Sequence, residues 1–339
     1  MQPLVSICIP GYNCSKWIEL TIRSALNQNY PNIEILYIDN QSVDNSFNIA
    51  RNFENSIQLF KNETNIGMMA NHNKALGLSK GKYICFLGAD DILHPNHVDD
   101  LLALLENNPT VVMAIGERQV VDENNTFVDC KPFYNHCAII PGVEQARVFM
   151  MSSMAYTCQV MLRRDTVLKV GGYPLDTLVL EAMLWYKSAL EGDVAYTKRV
   201  VAAYRNHSEN MTAGLSKGLE YAYEHYTSYH QIINLARHHP YLSQFCDAAY
   251  KNIGNHMMRI AQRSIEIGCV DTAKAYMNMA LAYNAEIENS YTYKVFRFCL
   301  DSTSEYDPLG LYNRLKDTLP ISLVRRVSYN LPQGSIIID

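Results

Sequence analysis

The chain has 339 residues, 48% hydrophobic and 19% charged, which describes a globular protein with a sizeable core and excludes a disordered or low-complexity chain. Its formal charge of −5 excludes the basic excess expected of a nucleic-acid binder. Nine cysteines, an odd number with no C-x-x-C pair, argue against a disulfide framework or a zinc site and for reduced, cytoplasmic usage. No run approaches the roughly 18 apolar residues of a membrane span, and the first apolar run lacks the basic flank of a signal peptide.

Residues 5–9 read as a first strand, closed by Pro10-Gly11-Tyr12-Asn13. A helix follows over 16–28, with Ile18, Ile22, Ala25 and Leu26 at helical spacing. Residues 33–38 form a second strand ending in Asp39, and Ser42 or Asp44 caps the helix after it. A third strand over 57–60 is followed by the Asn65-Ile66-Gly67 loop and a helix over 69–79. The run 83–87 is apolar at nearly every position, as a strand covered on both faces would be. It breaks at Gly88-Ala89 into the adjacent acids Asp90 and Asp91. Four strand–helix alternations in 90 residues signal a doubly wound, mostly parallel α/β sheet, whose ligands bind beyond the carboxyl ends of its strands. Two of these strands end in Asp.

A helix over 98–105 and a strand over 111–115 follow. Residues 116–141 are more polar, with a β-hairpin and a flexible segment expected there. A helix over 143–151, a strand over 158–162 and a helix over 164–170 lead to Gly171-Gly172. A helix over 180–190 carries Glu181 in its first turn, and short strands over 194–197 and 200–204 precede Arg205-Asn206-His207. From about residue 217 the pattern is helical throughout, which predicts a first domain over 1–215 and an all-α C-terminal region over 216–339. A terminal helix is expected around Val324-Arg325-Arg326-Val327, with a membrane-surface element as the alternative.

Four segments together resemble the family 2 glycosyltransferases of the GT-A fold. They are Val5-Ser-Ile-Cys-Ile-Pro-Gly-Tyr-Asn13, Ser24-Ala-Leu-Asn-Gln28, Asp39-Asn-Gln-Ser-Val-Asp44 and Gly81 to Leu93 around Asp90-Asp91. The resemblance covers roughly the first 60% of the chain. It implies inverting transfer of a hexosyl or N-acetylhexosaminyl group from a nucleotide sugar, by default a UDP-sugar, to an acceptor hydroxyl. It further implies a Mn²⁺ or Mg²⁺ ion on the leaving diphosphate, held by Asp90 and completed by His207. Pro10, Tyr12, Asp39, Asn65, Gly67, His72, Ala89, Asp90 and Arg205 fall where the family binds its nucleotide sugar. Trp185 aligns Glu181 with the family's general base. Glycan, glycolipid or glycoprotein acceptors, a cytoplasmic setting or the inner membrane face, and a role in surface polysaccharide, lipooligosaccharide or glycoprotein glycan assembly complete the expectation.

Three positions depart from the family pattern. Gly88 stands where Asp is frequent, Asn40 replaces the second Asp of its turn, and His72 replaces an Arg. They leave open a catalytically silent nucleotide-sugar-binding or scaffold protein. A nucleotidyltransferase is disfavoured, because Pro10 to Ser15 offers no repeated Gly or Arg for a triphosphate. A dinucleotide-binding dehydrogenase is disfavoured because no G-x-G-x-x-G follows the first strand.

Overall fold

The computed structural model describes residues 2–151, 154–176, 181–208, 210, 220–301, 307–319 and 328–338. The chain divides into two compact units: Met1–Phe149 with Ser153–His207 and Val327–Asp339, and Met150–Ser152 with Ser208–Arg326.

In the first unit, strands and helices alternate as β1 (Val5–Gly11), α1 (Ile18–Leu26), β2 (Ile33–Asp39), α2 (Ser46–Arg51), β3 (Gln58–Lys61), α3 (Met68–Leu78) and β4 (Tyr83–Phe86). β5 (Ile92–Leu93), α4 (His97–Asn107), β6 (Val111–Val121), β7 (Phe127–Asp129), β8 (Ala138–Ile140) and α5 (Gly142–Phe149) follow. β9 (Val160–Arg163), α6 (Arg164–Lys169), α7 (Ala182–Ala189), β10 (Asp193–Arg205) and β11 (Ile336–Ile337) complete it. The sheet runs β11-β8-β10-β6-β9-β4-β1-β2-β3, with β5 beside β10 and β7 beside β6. β4, β1, β2 and β3 are mutually parallel, β6 and β10 are parallel, and β9 lies antiparallel between β6 and β4.

Burial explains the apolar runs. Val5, Ser6, Ile7, Cys8 and Ile9 are all fully buried, and Tyr83 to Leu87 nearly so, because helices cover both sheet faces. α1 turns Ile18, Thr21, Ile22 and Ala25 inward, one stripe at helical spacing. The register sets Gly11 beside Asp39 and Asp39 beside Lys61. The carboxyl ends of these strands therefore share one edge. The chain moves outward from β1 to β3, then crosses back to β4 on the other side of β1. That reversal opens a crevice at the strand ends.

The 116–141 segment contains the expected hairpin, β6 with β7. The two short strands expected over 194–204 are one long strand, β10. Its pairing with β6 shifts register between Tyr196 and Val200, an irregularity that local pattern reads as a gap.

The second unit is helical: α8 (Glu220–Arg237), α9 (Cys246–Glu266), α10 (Val270–Tyr283), α11 (Tyr291–Asp301) and α12 (Pro308–Leu315). α9 and α10 meet closely at Gly254, where a Cβ would lie 3.1 Å from the Ala280 carbonyl oxygen. The expectation of one helical region over 216–339 needs correction at its end. Residues 328–338 fold with the first unit, where Ile336 and Ile337 extend the sheet on β8. A three-residue β-branched run is too short to reveal itself by periodicity. The expected terminal helix at 324–327 and the 215/216 boundary lie outside the described residues.

Candidate active site

The crevice is built first from the loop after β1. Asn13, at φ 49°, accepts a hydrogen bond from the Val43 amide at 3.0 Å, and its own amide donates to Ser42 Oγ at 3.0 Å. The Ser15 amide donates to Asp44 Oδ2 at 3.0 Å, and Asp44 Oδ1 accepts from the Ser46 amide at 2.9 Å and from its hydroxyl. Burial would raise the Asp44 carboxyl, but the Ser46 and Ser15 hydrogen bonds outweigh it and hold it low. Asp44 thus ties two loops together. Pro10 is half-buried and Tyr12 is 48% exposed, which leaves the Tyr12 ring available for contact.

Asp39 is fully buried at the end of β2. Its Oδ1 accepts from the Ser42 amide at 2.9 Å and its Oδ2 from the Tyr37 hydroxyl at 3.1 Å. Each oxygen retains capacity for a further donor. Gly11 makes room for this arrangement, since a Cβ there would lie 2.6 Å from the Tyr37 ring.

Asn40 explains its own departure from the family pattern. Its Oδ1 accepts from the Ile66 amide at 3.0 Å and from Asn62 Nδ2 at 2.8 Å. Its Nδ2 donates to Asn65 Oδ1 at 2.8 Å and to the Gly67 carbonyl at 3.2 Å. Only an amide supplies both acceptor and donor at this position. The network fixes the loop holding Asn65 and Gly67, and Gly67 adopts φ 84°, ψ 161°, a conformation open essentially to glycine alone.

The acidic turn after β4 is equally constrained. The Thr21 hydroxyl contacts the carbonyls of Ala89 at 3.1 Å and Asp91 at 2.8 Å. A Cβ on Gly88 would stand 2.8 Å from Asp91 Oδ2 and 3.0 Å from Asp90 Oδ1. A third carboxylate there would press on both acids, which is a physical reason for glycine. Asp91 is buried and accepts the Arg205 amide at 2.9 Å. Burial, then the neighbouring Asp90 charge, pushes its carboxyl well up. Asp90 is the exposed partner, at 29%, and its Oδ2 lies 3.1 Å from His207 Nε2.

Arg205 takes a scaffolding position instead of the expected phosphate contact. It is fully buried. Its Nε donates to the Asp90 carbonyl at 2.8 Å, and its Nη1 donates to the Asp122 carbonyl at 2.9 Å and to Asn125 Oδ1 at 3.0 Å. Its guanidinium lies 4.4 Å from the Trp17 ring centroid, and the same indole packs 5.5 Å from the His207 ring. Trp17 was not singled out in the sequence, because a helix-start aromatic reads as core.

His72 sits on α3 among aromatic rings, 4.8 Å from Tyr173 and 5.7 Å from Phe86, with Nδ1 2.9 Å from the Met68 carbonyl. Burial lowers its pKa to about 4, so the ring is neutral near pH 7 and donates from Nδ1.

Glu181 precedes α7, which is anchored by the buried Trp185 donating to the Ala155 carbonyl at 3.2 Å. Burial raises the Glu181 carboxyl to about 7, against a lowering by the Arg118 charge. A carboxylate poised there is matched to general-base work near neutral pH. Among the described residues no group of three or more His, Cys, Asp or Glu gathers around one point. Asp90 and His207 are the two potential ligands that the crevice brings within 3.1 Å of each other.

Residues 6–169 match glycosyl transferase family 2. An uncharacterized protein of Mycobacterium tuberculosis is 36% identical over 124 residues, 36% of this chain and 39% of that protein. An uncharacterized glycosyltransferase of Rickettsia typhi is 26% identical over 214 residues, 62% of this chain and 66% of that protein. The chain thus spans less than two thirds of the length of either relative. Among solved structures, S. aureus TarS 1-349 in complex with UDP-GlcNAc shares the fold. Its TM-score is 0.55 at 14% identity, over 84% of this chain and 91% of that one. The family match ends before Glu181, Arg205 and His207.

Proposed function

Because residues 6–169 belong to glycosyl transferase family 2, we propose that this protein transfers a sugar from a nucleoside-diphosphate donor to an acceptor hydroxyl with inversion. The observation that carries the reading is the half-exposed Asp90 against His207 at the carboxyl edge of a parallel sheet. The donor is a UDP-sugar, and the transferred group is a hexosyl or N-acetylhexosaminyl unit. Asp39 accepts from the uracil N–H while the Ser42 amide and Tyr37 hydroxyl hold it. Tyr12 lies along the base, and the Asn40 network presents the Asn65–Gly67 loop to the nucleotide. TarS, of the same fold, binds UDP-GlcNAc, which agrees with this choice of donor.

The residues present fit a divalent ion. Asp90 Oδ2 and His207 Nε2 are 3.1 Å apart, one a hard oxygen and the other an imidazole nitrogen. Bound Mn²⁺ or Mg²⁺ would supply Lewis-acid stabilisation of the leaving diphosphate. Arg205 holds the Asp90 backbone so that its carboxylate faces the crevice. Glu181 accepts the proton of the attacking hydroxyl at its carboxylate.

The nine free cysteines suit a reducing, cytoplasmic setting. Among the described residues no helix is long and apolar enough to cross a membrane. The acceptor belongs to surface polysaccharide, lipooligosaccharide or glycoprotein glycan assembly. The test is a thermal-shift screen of UDP-, GDP- and dTDP-sugars with and without Mn²⁺. A donor at about 100 times its Kd stabilises by about 2.7 kcal/mol. A Mn²⁺-dependent shift with UDP-sugars supports the reading. No shift with any nucleotide, in folded protein, defeats it.

A further inference from the structure

His207 lies two residues beyond the end of β10, outside the ladder that fixes the strand. Its ring is nonetheless held in place. Only 6% of the side chain is exposed, and Nε2 stands 3.1 Å from Asp90 Oδ2. Trp17 packs beside it, with the ring centroids 5.5 Å apart and the planes tilted by 39°. The indole is backed in turn by Arg205, whose guanidinium carbon lies 4.4 Å from its centroid. Arg205 is a firm wall. It is fully buried, and it donates to the Asp90 and Asp122 carbonyls and to Asn125 Oδ1. One aromatic ring therefore spans Arg205 and His207, two positions apart at the end of β10.

Trp17 is also fixed by its own backbone. It is the residue before α1; its amide donates to the Cys14 carbonyl at 2.9 Å, and its carbonyl accepts from the Thr21 amide at 3.2 Å. Thr21 stands one helical turn further on, and residues four apart share a helix face. The Thr21 hydroxyl meets the carbonyls of Ala89 and Asp91, the two neighbours of Asp90. One turn of chain thus supports both members of the pair, Trp17 the His207 ring and Thr21 the Asp90 turn. Core filling does not account for Trp17. The apolar core under α1 is built from Ile18, Ile22 and Ala25, whereas the half-buried indole packs on two polar side chains. A ring beside a ring also does more than fill space, because aromatic pairs settle into defined tilted or offset geometries.

We infer that Trp17 is a positioning residue for cation binding. It acts through His207, holding the imidazole with Nε2 toward Asp90 so that a divalent ion meets a preformed pair. This rests on the reading of Asp90 and His207 as the ion's protein ligands.

The test measures Mn²⁺ binding to the full chain in saturating UDP, from the electron paramagnetic resonance signal of free Mn²⁺. Metal-free UDP affinity is measured alongside by calorimetry. Trp17→Ala is expected to weaken Mn²⁺ binding about 10-fold, the lower end of the cost of losing a residue that orients a metal ligand, and to leave metal-free UDP affinity within about 2-fold. Trp17→Phe keeps a ring against His207 and should recover most of the Mn²⁺ affinity. Trp17→Leu keeps apolar bulk without a ring and should not. In a His207→Ala background, Trp17→Ala should cost less than about 3-fold, because effects that run through a shared partner do not add. Unchanged Mn²⁺ affinity in Trp17→Ala overturns the inference. So does an undiminished loss in the His207→Ala background. Equal recovery by Leu and Phe overturns it by reducing Trp17 to packing, and this comparison decides the matter even where Trp17→Ala does not fold. A matching loss of metal-free UDP affinity overturns it by moving Trp17 to the nucleotide loop. Wild-type protein that binds UDP but no Mn²⁺ defeats the ion reading and the inference together, whereas Mn²⁺ binding that ignores Trp17 defeats the inference alone.

Discussion

Glu181→Gln separates a group kept for chemistry from one kept for stability. Burial raises the carboxyl from 4.5 to about 7, so the folded protein holds that proton more tightly than the unfolded chain does. The proton-linked stabilisation is complete below about pH 4.5 and is lost as pH rises through about 7. The gap, at about 1.36 kcal/mol per pH unit, sets a ceiling of about 3.4 kcal/mol. Glu181 retains some solvent exposure, and screening lowers the expected effect to about 1–3 kcal/mol. Glutamine is close to isosteric and does not titrate. Relative to wild type, the variant should therefore gain about 1–3 kcal/mol between pH 5 and pH 8, read by urea unfolding at both values. Transfer by wild type should rise through about pH 7 as the carboxylate forms. The variant should lose at least about 100-fold in transfer while binding UDP normally. Parallel pH–stability curves for the two proteins would show that Glu181 is not buried as described. Near-normal transfer would move the base elsewhere.

Asp90→Asn should lower Mn²⁺-dependent UDP affinity at least about 10-fold while leaving metal-free affinity in place; equal metal dependence in both proteins would remove Asp90 as a ligand. Asn40→Asp replaces the amide that donates to Asn65 and Gly67, turning two hydrogen bonds into oxygen–oxygen contacts at a site 3% exposed. A loss of about 2–4 kcal/mol is expected in urea unfolding, and a change under about 0.5 kcal/mol would refute the network's importance. Gly67→Ala meets no atom within 4 Å, so its effect isolates backbone strain at φ 84°. It should cost about 1–3 kcal/mol and weaken nucleotide binding, with thermal unfolding and UDP calorimetry as the two readouts.

Much of the half of the sheet that carries β1 to β4 was legible from local pattern. The run from Tyr83 to Leu87 is apolar because both of its faces are covered, and its break marks the site edge. Asp39 ends β2 and Asp90 follows β4, so chain direction places both at the carboxyl edge of the sheet. The consequences of Gly88, Asn40 and His72 were not legible. Gly88 answers to crowding by Asp90 and Asp91, Asn40 to a need for a donor and an acceptor together, and His72 to an aromatic cluster completed by Tyr173, about 100 residues later. Arg205 looked like a phosphate ligand because its neighbours His207 and Tyr204 fit a motif. A motif does not say which way a side chain turns at the end of a strand, and Trp17 and the Asp122 carbonyl draw this one inward.

The sequence by itself determined the strand–helix alternation, the acids at the strand ends and the switch to helices after about residue 217. These follow from solvent exposure, which repeats along the chain with the period of each element. Tertiary structure alone decided that the last strand returns to the sheet and that Trp17 packs against both Arg205 and His207. Those outcomes depend on the order of β10, β6, β9 and β4 across the sheet. Strand order is set by packing and crossover among distant segments, and no local period encodes it.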